Sequence, residues 1–231
     1  MARVVDAAAH ALRRDAFVEA AQRLVHTKGY EQMSLQDVLD ETDASRGAFY
    51  HYFDSKGALL EALVERMVDD VTETLVPVAA DPGLPALQKL EGVFGGIARW
   101  KAENMDLRVE PLLAFVRVWL SDENAIVRER CRQRTAVRLT PLLTRIVRQG
   151  KEEGVFSVGS AEHTAEVLVS LILVANETIS RLFVARQADT ITFEDVERSI
   201  RAYFEAFERV LGLPARSWPT VDTATLRFWF A

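Results

Sequence analysis

The sequence predicts an all-α protein, and three observations carry the prediction. Apolar residues recur at i, i+3, i+4 and i+7 over most of the chain, the period of one helix face. These runs are set off by helix punctuation, with Ser34, Ser45 and Ser55 ahead of them and Gly29, Gly154 and Gly212 behind them. No stretch alternates apolar and polar residues as a half-buried strand would, and there is no internal repeat.

The elements follow in order. Met1–Leu12 is alanine-rich with no clear cap, and a disordered start is expected there. Phe17, Ala20, Ala21, Leu24 and Val25 mark a first helix entered at Arg13-Arg14, with His26 and Lys28 in its last turn and Gly29 beyond. Ser34 caps a second helix whose stripe is Leu35, Val38 and Leu39, and Asp37 completes something close to a capping box. Glu41–Ala44 reads as a turn, and Ser45 caps a third helix over Arg46–Tyr52. Ser55 caps a fourth, carried by Leu59, Leu60, Leu63, Val64, Met67, Val68 and Val71, which Pro77 is expected to stop.

Asp81-Pro82-Gly83 is a turn. The fifth helix holds Leu87, Leu90, Phe94, Ile97 and Trp100; its Gly92, Gly95 and Gly96 predict close helix contact or a local distortion. Pro111 opens a sixth, apolar nearly all round from Leu112 to Leu120 and therefore expected to be buried, and Ser121–Asn124 breaks it. A seventh runs from Ala125 to Glu153 with a kink expected at Pro141. The eighth spans Ala161–Gln187, and the ninth carries Phe193, Val196, Ile200, Tyr203, Phe204, Phe207, Val210 and Leu211. The tail 215–231 has Trp218, Phe228, Trp229 and Phe230, too apolar for a free segment; it is expected to fold back on the body or a partner subunit, with Pro214 and Pro219 setting the turns.

Two short helices joined by a tight turn, the second opening on small and cationic residues, form the helix-turn-helix layout that places its second helix in a DNA major groove. Gly29-Tyr30, Ser34-Leu35, Asp37-Val38, Ala44-Ser45 and the run Gly47-Ala48-Phe49-Tyr50-His51-Tyr52-Phe53-Asp54-Ser55-Lys56 resemble the DNA-binding domain of TetR-type transcriptional repressors. The resemblance covers the first quarter of the chain. It departs at Asp43, where the family has Gly in the turn, and at Gly57, where the family has Glu.

The resemblance implies a helix-turn-helix head at 1–55, a ligand-binding and dimerisation body of helices at 56–214, about nine helices in all, and the tail at 215–231. Ser34, Ser45, Arg46, Gly47, Ala48, Tyr50, His51 and Lys56 are the candidate DNA contacts. Arg46 is the base reader, because Arg pairs bidentately with guanine; Tyr50, His51 and Lys56 hold the backbone, while Phe49 and Phe53 belong to the core. The resemblance implies an apolar pocket for an unidentified small-molecule effector; Phe94, Trp100, Met105, Phe115 and Trp119 are read either as its lining or as plain core, and Asn176, Glu177 and Arg181 either as its polar groups or as hydrogen-bonding groups of a dimer interface. Helices eight and nine are expected to join a homodimer through Val167, Leu168, Leu171, Ile172, Phe204, Phe207 and Leu211.

The bulk numbers narrow the class. The composition is 49% hydrophobic and 27% charged, with net charge −6. Residues 1–60 carry seven Arg and Lys against nine Asp and Glu, a net −2, so affinity for DNA must rest on a few placed contacts. The Arg-rich stretch from Arg128 to Arg148 reads as a solvated helix face with Glu123 and Glu129 nearby. No apolar run nears the roughly 20 residues of a membrane span, no secretory h-region is visible, and the single Cys131 suits a reducing cytosol. His10, His26, His51, His163 and Cys131 have no metal-ligand spacing, His163 being read as a surface residue, and no catalytic constellation or phosphate loop is present, so neither cofactor nor metal is expected. The expectation is a cytoplasmic repressor released from a double-stranded operator by ligand. Two alternatives stay open: a helical interaction protein with an inactive head, and an all-α enzyme using the body cavity.

Overall fold

The computed structural model describes residues 7–104, 108–218 and 223–230; Met105 and Pro219 lie outside them, as does the Phe228 side chain. Among the described residues all secondary structure is helical: α1 (Ala7–Lys28), α2 (Leu35–Thr42), α3 (Arg46–Tyr50), α4 (Lys56–Ala80), α5 (Ala86–Asn104), α6 (Val109–Leu120), a 3₁₀ turn (Asp122–Asn124), α7 (Ala125–Glu152), α8 (Ala161–Gln187), α9 (Phe193–Leu211) and α10 (Thr223–Phe230). The nine expected helices are there, and a tenth forms in the tail.

Several boundaries move. Helix α1 starts at Ala7, upstream of the expected entry at Arg13, because an alanine run propagates a helix without a cap. Helix α4 continues past Pro77 to Ala80, since a proline this close to the end removes only one intrahelical bond. Helix α7 likewise runs through Pro141. Helix α6 is not the buried helix its composition suggested: only Val116 is buried, while Leu112, Leu113, Phe115, Val118, Trp119 and Leu120 are half-buried. Apolar composition all round becomes burial only where neighbours cover every side.

The chain divides into two compact units. The first takes in residues up to Val68 together with Arg117–Cys131, more chain than a head ending at 55. Its core is Phe17, Val18, Ala21, Val25, Met33, Val38, Leu39, Phe49, Phe53, Leu59, Leu63 and Val127. The Phe17 ring meets Phe49 edge-on at 5.5 Å and Phe53 at 6.2 Å, the geometry that opposed ring quadrupoles favour. The turn between α1 and α2 is gripped by the 3₁₀ turn. Asn124, fully buried, accepts the Tyr30 N–H on Oδ1 at 2.9 Å and donates through Nδ2 to Val25 O at 3.2 Å and Val118 O at 3.0 Å. Glu31 N–H donates to Glu123 O at 3.0 Å. Gly29 permits the approach: its φ is +87°, and a Cβ there would stand 2.9 Å from Glu123 Cβ.

The second unit comprises Asp69–Val116 and Arg132–Ala231. Leu75, Ala79, Leu90, Val93, Leu143, Ile146, Leu168, Ile172, Phe207 and Leu211 lie in its core. Two of the three glycines of α5 mark close contact, and the helix is unbroken: a Cβ on Gly92 would meet Val78 Cγ1 at 2.6 Å and one on Gly96 Leu75 Cδ2 at 2.8 Å, while Gly95 faces open space. Helix α8 is long and apolar enough to cross a membrane by length and composition, although no continuous apolar run announces it. Its Ala165, Leu168, Val169 and Ile172 are core.

The tail folds back as expected. Trp218 is buried with its ring 5.3 Å from Phe94 and 6.1 Å from Phe207, and α10 packs on α8 and α9 with Phe230 against Phe183. The buried Glu208 carboxylate accepts the N–H groups of Arg216 at 3.0 Å and Trp218 at 2.9 Å. Four of the seven residues assigned to subunit pairing, Leu168, Ile172, Phe207 and Leu211, are buried in the core of this unit and offer nothing to a partner. Val167, another of the seven, is exposed, as are Val174 and Ile179 further along α8.

Candidate nucleic-acid interface

The interface is built from caps outward. Ser34 and Asp37 form a full capping box: Ser34 N–H donates to Asp37 Oδ2 at 2.7 Å, and Asp37 N–H to Ser34 Oγ at 3.1 Å. Lys28 Nζ stands 2.6 Å from the same Oδ2. The Lys28 contact first, then those from Ser34, hold the Asp37 carboxyl well below the usual carboxylate range. Helix α2 ends on Asp43 in the left-handed region, φ 47° and ψ 47°, with Ala44 N–H closing on Leu39 O at 3.0 Å. The family's glycine position thus keeps its backbone shape with Asp in place. Ser45 then caps α3 by accepting the Ala48 N–H at 3.1 Å, and Ser55 caps α4 by accepting that of Ala58 at 3.1 Å.

Helix α3 turns two faces to different media. Phe49 and Phe53 are buried, while Arg46, Gly47, Tyr50 and His51 are exposed and Ala48 is half-buried. Arg46 and Gly47 stand at the start of the helix, with no large side chain to hold a groove away. Of the other expected site residues, Ser34 and Ser45 are exposed. Lys56 is half-buried: its Nζ donates to Tyr30 O at 2.7 Å and sits 4.1 Å over the Tyr30 ring. Burial lowers its pKa. Two of its three donors remain for a phosphate, and the ammonium is fixed in place.

Sequence reading missed three residues of this unit. Asn124 was only a helix breaker there; its partners Tyr30 and Val25 lie 94 and 99 positions away, and no local pattern marks such pairing. Lys28 was a last-turn cation and is the partner of Asp37. His10 fell in the expected disordered start, yet its ring lies 4.6 Å from Tyr52 and 5.6 Å from His51.

The arginines of α7 are engaged with acids and carbonyls. Arg130 pairs with Glu61, Arg148 Nη2 lies 2.6 Å from Glu162, and Arg138 sets two guanidinium nitrogens 2.9 Å from the oxygens of Asp69. Arg128 donates to Trp119 O and Ser121 O at 2.5 and 2.6 Å. Burial pushes the Cys131 thiol up to about 12.

The candidate effector residues are spread out. Trp119 belongs to the first unit, and Phe94, Trp100, Phe115, Asn176 and Glu177 to the second. The Phe94 ring is taken up by Phe207 and Trp218. Trp100, Phe115 and Asn176 are half-buried, and Glu177 is exposed and pairs with Arg181 at 2.6 Å. An open depression lined by Arg186, Asp189, Thr190, Ile191, Phe193 and Glu194 contains none of them. His163 is exposed at the start of α8, as expected.

Helices α2 and α3 thus form a helix-turn-helix whose second helix exposes Arg46, Gly47, Tyr50 and His51. The family profile of bacterial regulatory proteins of the tetR family matches residues 17–63. An uncharacterised HTH-type transcriptional regulator of Lactococcus lactis is 38% identical over 55 residues, 24% of this chain and 28% of that protein. The HTH-type transcriptional repressor DhaR of a Mycobacterium strain is 25% identical over 84 residues, 36% of this chain and 42% of its own. The chain thus spans less than half the length of these curated relatives. The crystal structure of reduced E. coli NemR superposes with a TM-score of 0.58 at 20% identity, covering 88% of this chain and 98% of that one, so the body shares its fold.

Proposed function

We propose that the protein is a ligand-responsive, DNA-binding transcriptional repressor of the cytoplasm, with residues 1–55 as its DNA-binding domain and 56–214 as its ligand-binding and dimerisation domain. The observation that carries the reading is the two-faced α3: Phe49 and Phe53 spend their area on the core, leaving Arg46, Gly47, Tyr50 and His51 exposed. Arg46 reads a base edge, and Tyr50, His51 and Lys56 hold phosphates, with Ser34, Ser45, Gly47 and Ala48 at the helix starts allowing close approach. A homodimer joined by α8 and α9 sets two α3 helices on successive major grooves of a double-stranded operator. Effector bound in the body shifts α4 and misfits the pair, which requires it to prefer the DNA-incompetent form by the coupling energy. The effector site draws on Phe94, Trp100, Phe115, Asn176 and Glu177 of the second unit.

The protein has no enzymatic role in this reading, and the curated relatives carry regulator names. A gel shift with the DNA upstream of the protein's own operon tests it. Retardation of that duplex at a salt concentration where scrambled duplex runs free supports the repressor; no retardation of either supports an interaction protein whose head no longer binds DNA.

A further inference from the structure

We propose that the first turns of α1 form a second phosphate-binding surface, in which His10 and Arg13 hold a backbone phosphate flanking the one held by His51. The inference rests on the reading of α3 as the recognition helix.

The starting point is a stretch of helix with no role in the core. The apolar stripe of α1 opens at Phe17, yet the helix begins at Ala7. Ala8, Ala9, Ala11, Leu12 and Arg13 are exposed, Leu12 at 72%. His10 is the exception. It is half-buried because its ring packs 4.6 Å from Tyr52 and 5.6 Å from His51, and those two rings lie 5.1 Å apart. One turn on, Arg14 lays its guanidinium 5.3 Å over the Phe53 ring. His10 and Arg14 are i and i+4, so one face of the helix is fastened at two points beside the end of α3.

That fastening decides where the remaining cation goes. Arg13 is exposed and makes no ion pair among the described residues. It lies i+3 from His10, on the neighbouring side of the same turn. Asp15, also exposed, is two residues on and projects across the helix. Imidazole and guanidinium both donate to phosphate oxygens. Successive phosphates on one strand are separated by the axial rise of about 3.4 Å together with a larger step around the helix, a spacing comparable with the 5.6 Å between the His10 and His51 rings. The charge balance gives this surface a purpose. Residues 1–60 carry a net −2, and a head with so few cations gains most from each one held against the backbone.

Fluorescence anisotropy with labelled duplexes across a salt series tests the inference. The variants are Arg13→Ala, Arg13→Lys and His10→Ala/Arg13→Ala in the full chain, each first checked for native helicity. The double variant is expected to bind upstream and scrambled duplex more weakly by the same factor. Its log K against log[salt] slope should be shallower by about 0.9 for each phosphate no longer neutralised, and Arg13→Lys should restore most of the Arg13 share. Ethylation interference should show one phosphate fewer per half-site than in the wild type. An unchanged slope and footprint, with wild-type binding intact, overturns the inference and leaves the recognition helix standing. A wild type that binds neither duplex at low salt overturns the reading of α3 and this inference with it.

Discussion

The side chain of Asn124 holds the backbone of Tyr30 across 94 positions of sequence, Oδ1 accepting the Tyr30 N–H at 2.9 Å. The same amide serves Val25 O and Val118 O, so one buried side chain closes three backbone groups on both sides of the α1–α2 turn. Lys56 takes the Tyr30 carbonyl from the other side.

Asn124→Ala should therefore be among the most damaging polar substitutions in the first unit. It strands the Tyr30 N–H, at about 1–3 kcal/mol, and takes one donor each from Val25 O and Val118 O, which keep the Gly29 and Ser121 donors. Urea unfolding followed by circular dichroism measures the loss, and a midpoint within error of the wild type would refute the clamp.

Arg46→Ala should weaken specific DNA binding by about 1–3 kcal/mol and relax one base position. Competition with single-base operator variants reads this out. Equal losses on operator and scrambled duplex would assign Arg46 to a phosphate instead.

Asp43→Gly should stabilise the head by up to about 1 kcal/mol, since Asp43 holds a left-handed φ of 47° that Gly reaches without steric penalty. The gain is partly offset by the entropy of Gly in the unfolded chain. Thermal melting of the two proteins in one buffer gives the sign.

The Asp37 carboxyl titrates lower when folded than the roughly 3.9 of an unfolded Asp, because Lys28 and Ser34 favour its charged form. Its contribution to stability is present above that unfolded value and is lost as pH falls through the folded one. Asp37→Asn should accordingly be less stable than the wild type at pH 7 and approach it at strongly acid pH. The gap at pH 7 should narrow in high salt, because the pair is on the surface. A gap that is the same at every pH would assign the effect to helix propensity.

Deleting residues 215–231 should lower the melting temperature. It uncovers Phe94 and Phe207, removes a buried Trp whose truncation alone costs about 3–5 kcal/mol, and leaves the buried Glu208 without its two N–H donors. Identical melting of the truncated chain would mean the tail carries no stability.

The sequence was most informative where chemistry is local. Ser34 with Asp37, Ser45 with Ala48 and the left-handed Asp43 are short-range patterns, and each is found in place. Apolar periodicity and caps located the first nine helices, though not α10, but misjudged what covers them. The nearly all-apolar α6 has one buried residue, while Leu168 and Phe207, read as surplus for a partner, are core. Periodicity gives the direction in which a side chain points and not the neighbour it meets. Asn124 and His10 escaped for the same reason, their partners being set by folding of distant segments. The aromatic residues assigned to an effector show it again: Phe94 was matched to a ligand, and its ring is met by Phe207 and Trp218.

Burial that lifts the thiol of Cys131 to about 12 has a practical consequence. It is the chain's single cysteine, and at neutral pH it carries almost no thiolate. Alkylating reagents attack thiolates, so the half-buried Cys131 should label slowly in the native protein, which mass spectrometry after iodoacetamide treatment would check. A cysteine introduced at an open site, Leu12→Cys at 72% exposure or Val137→Cys at 69%, would take a spin label or fluorophore selectively. Distances between such labels on two copies would then report the geometry of the assembly with the rest of the sequence untouched.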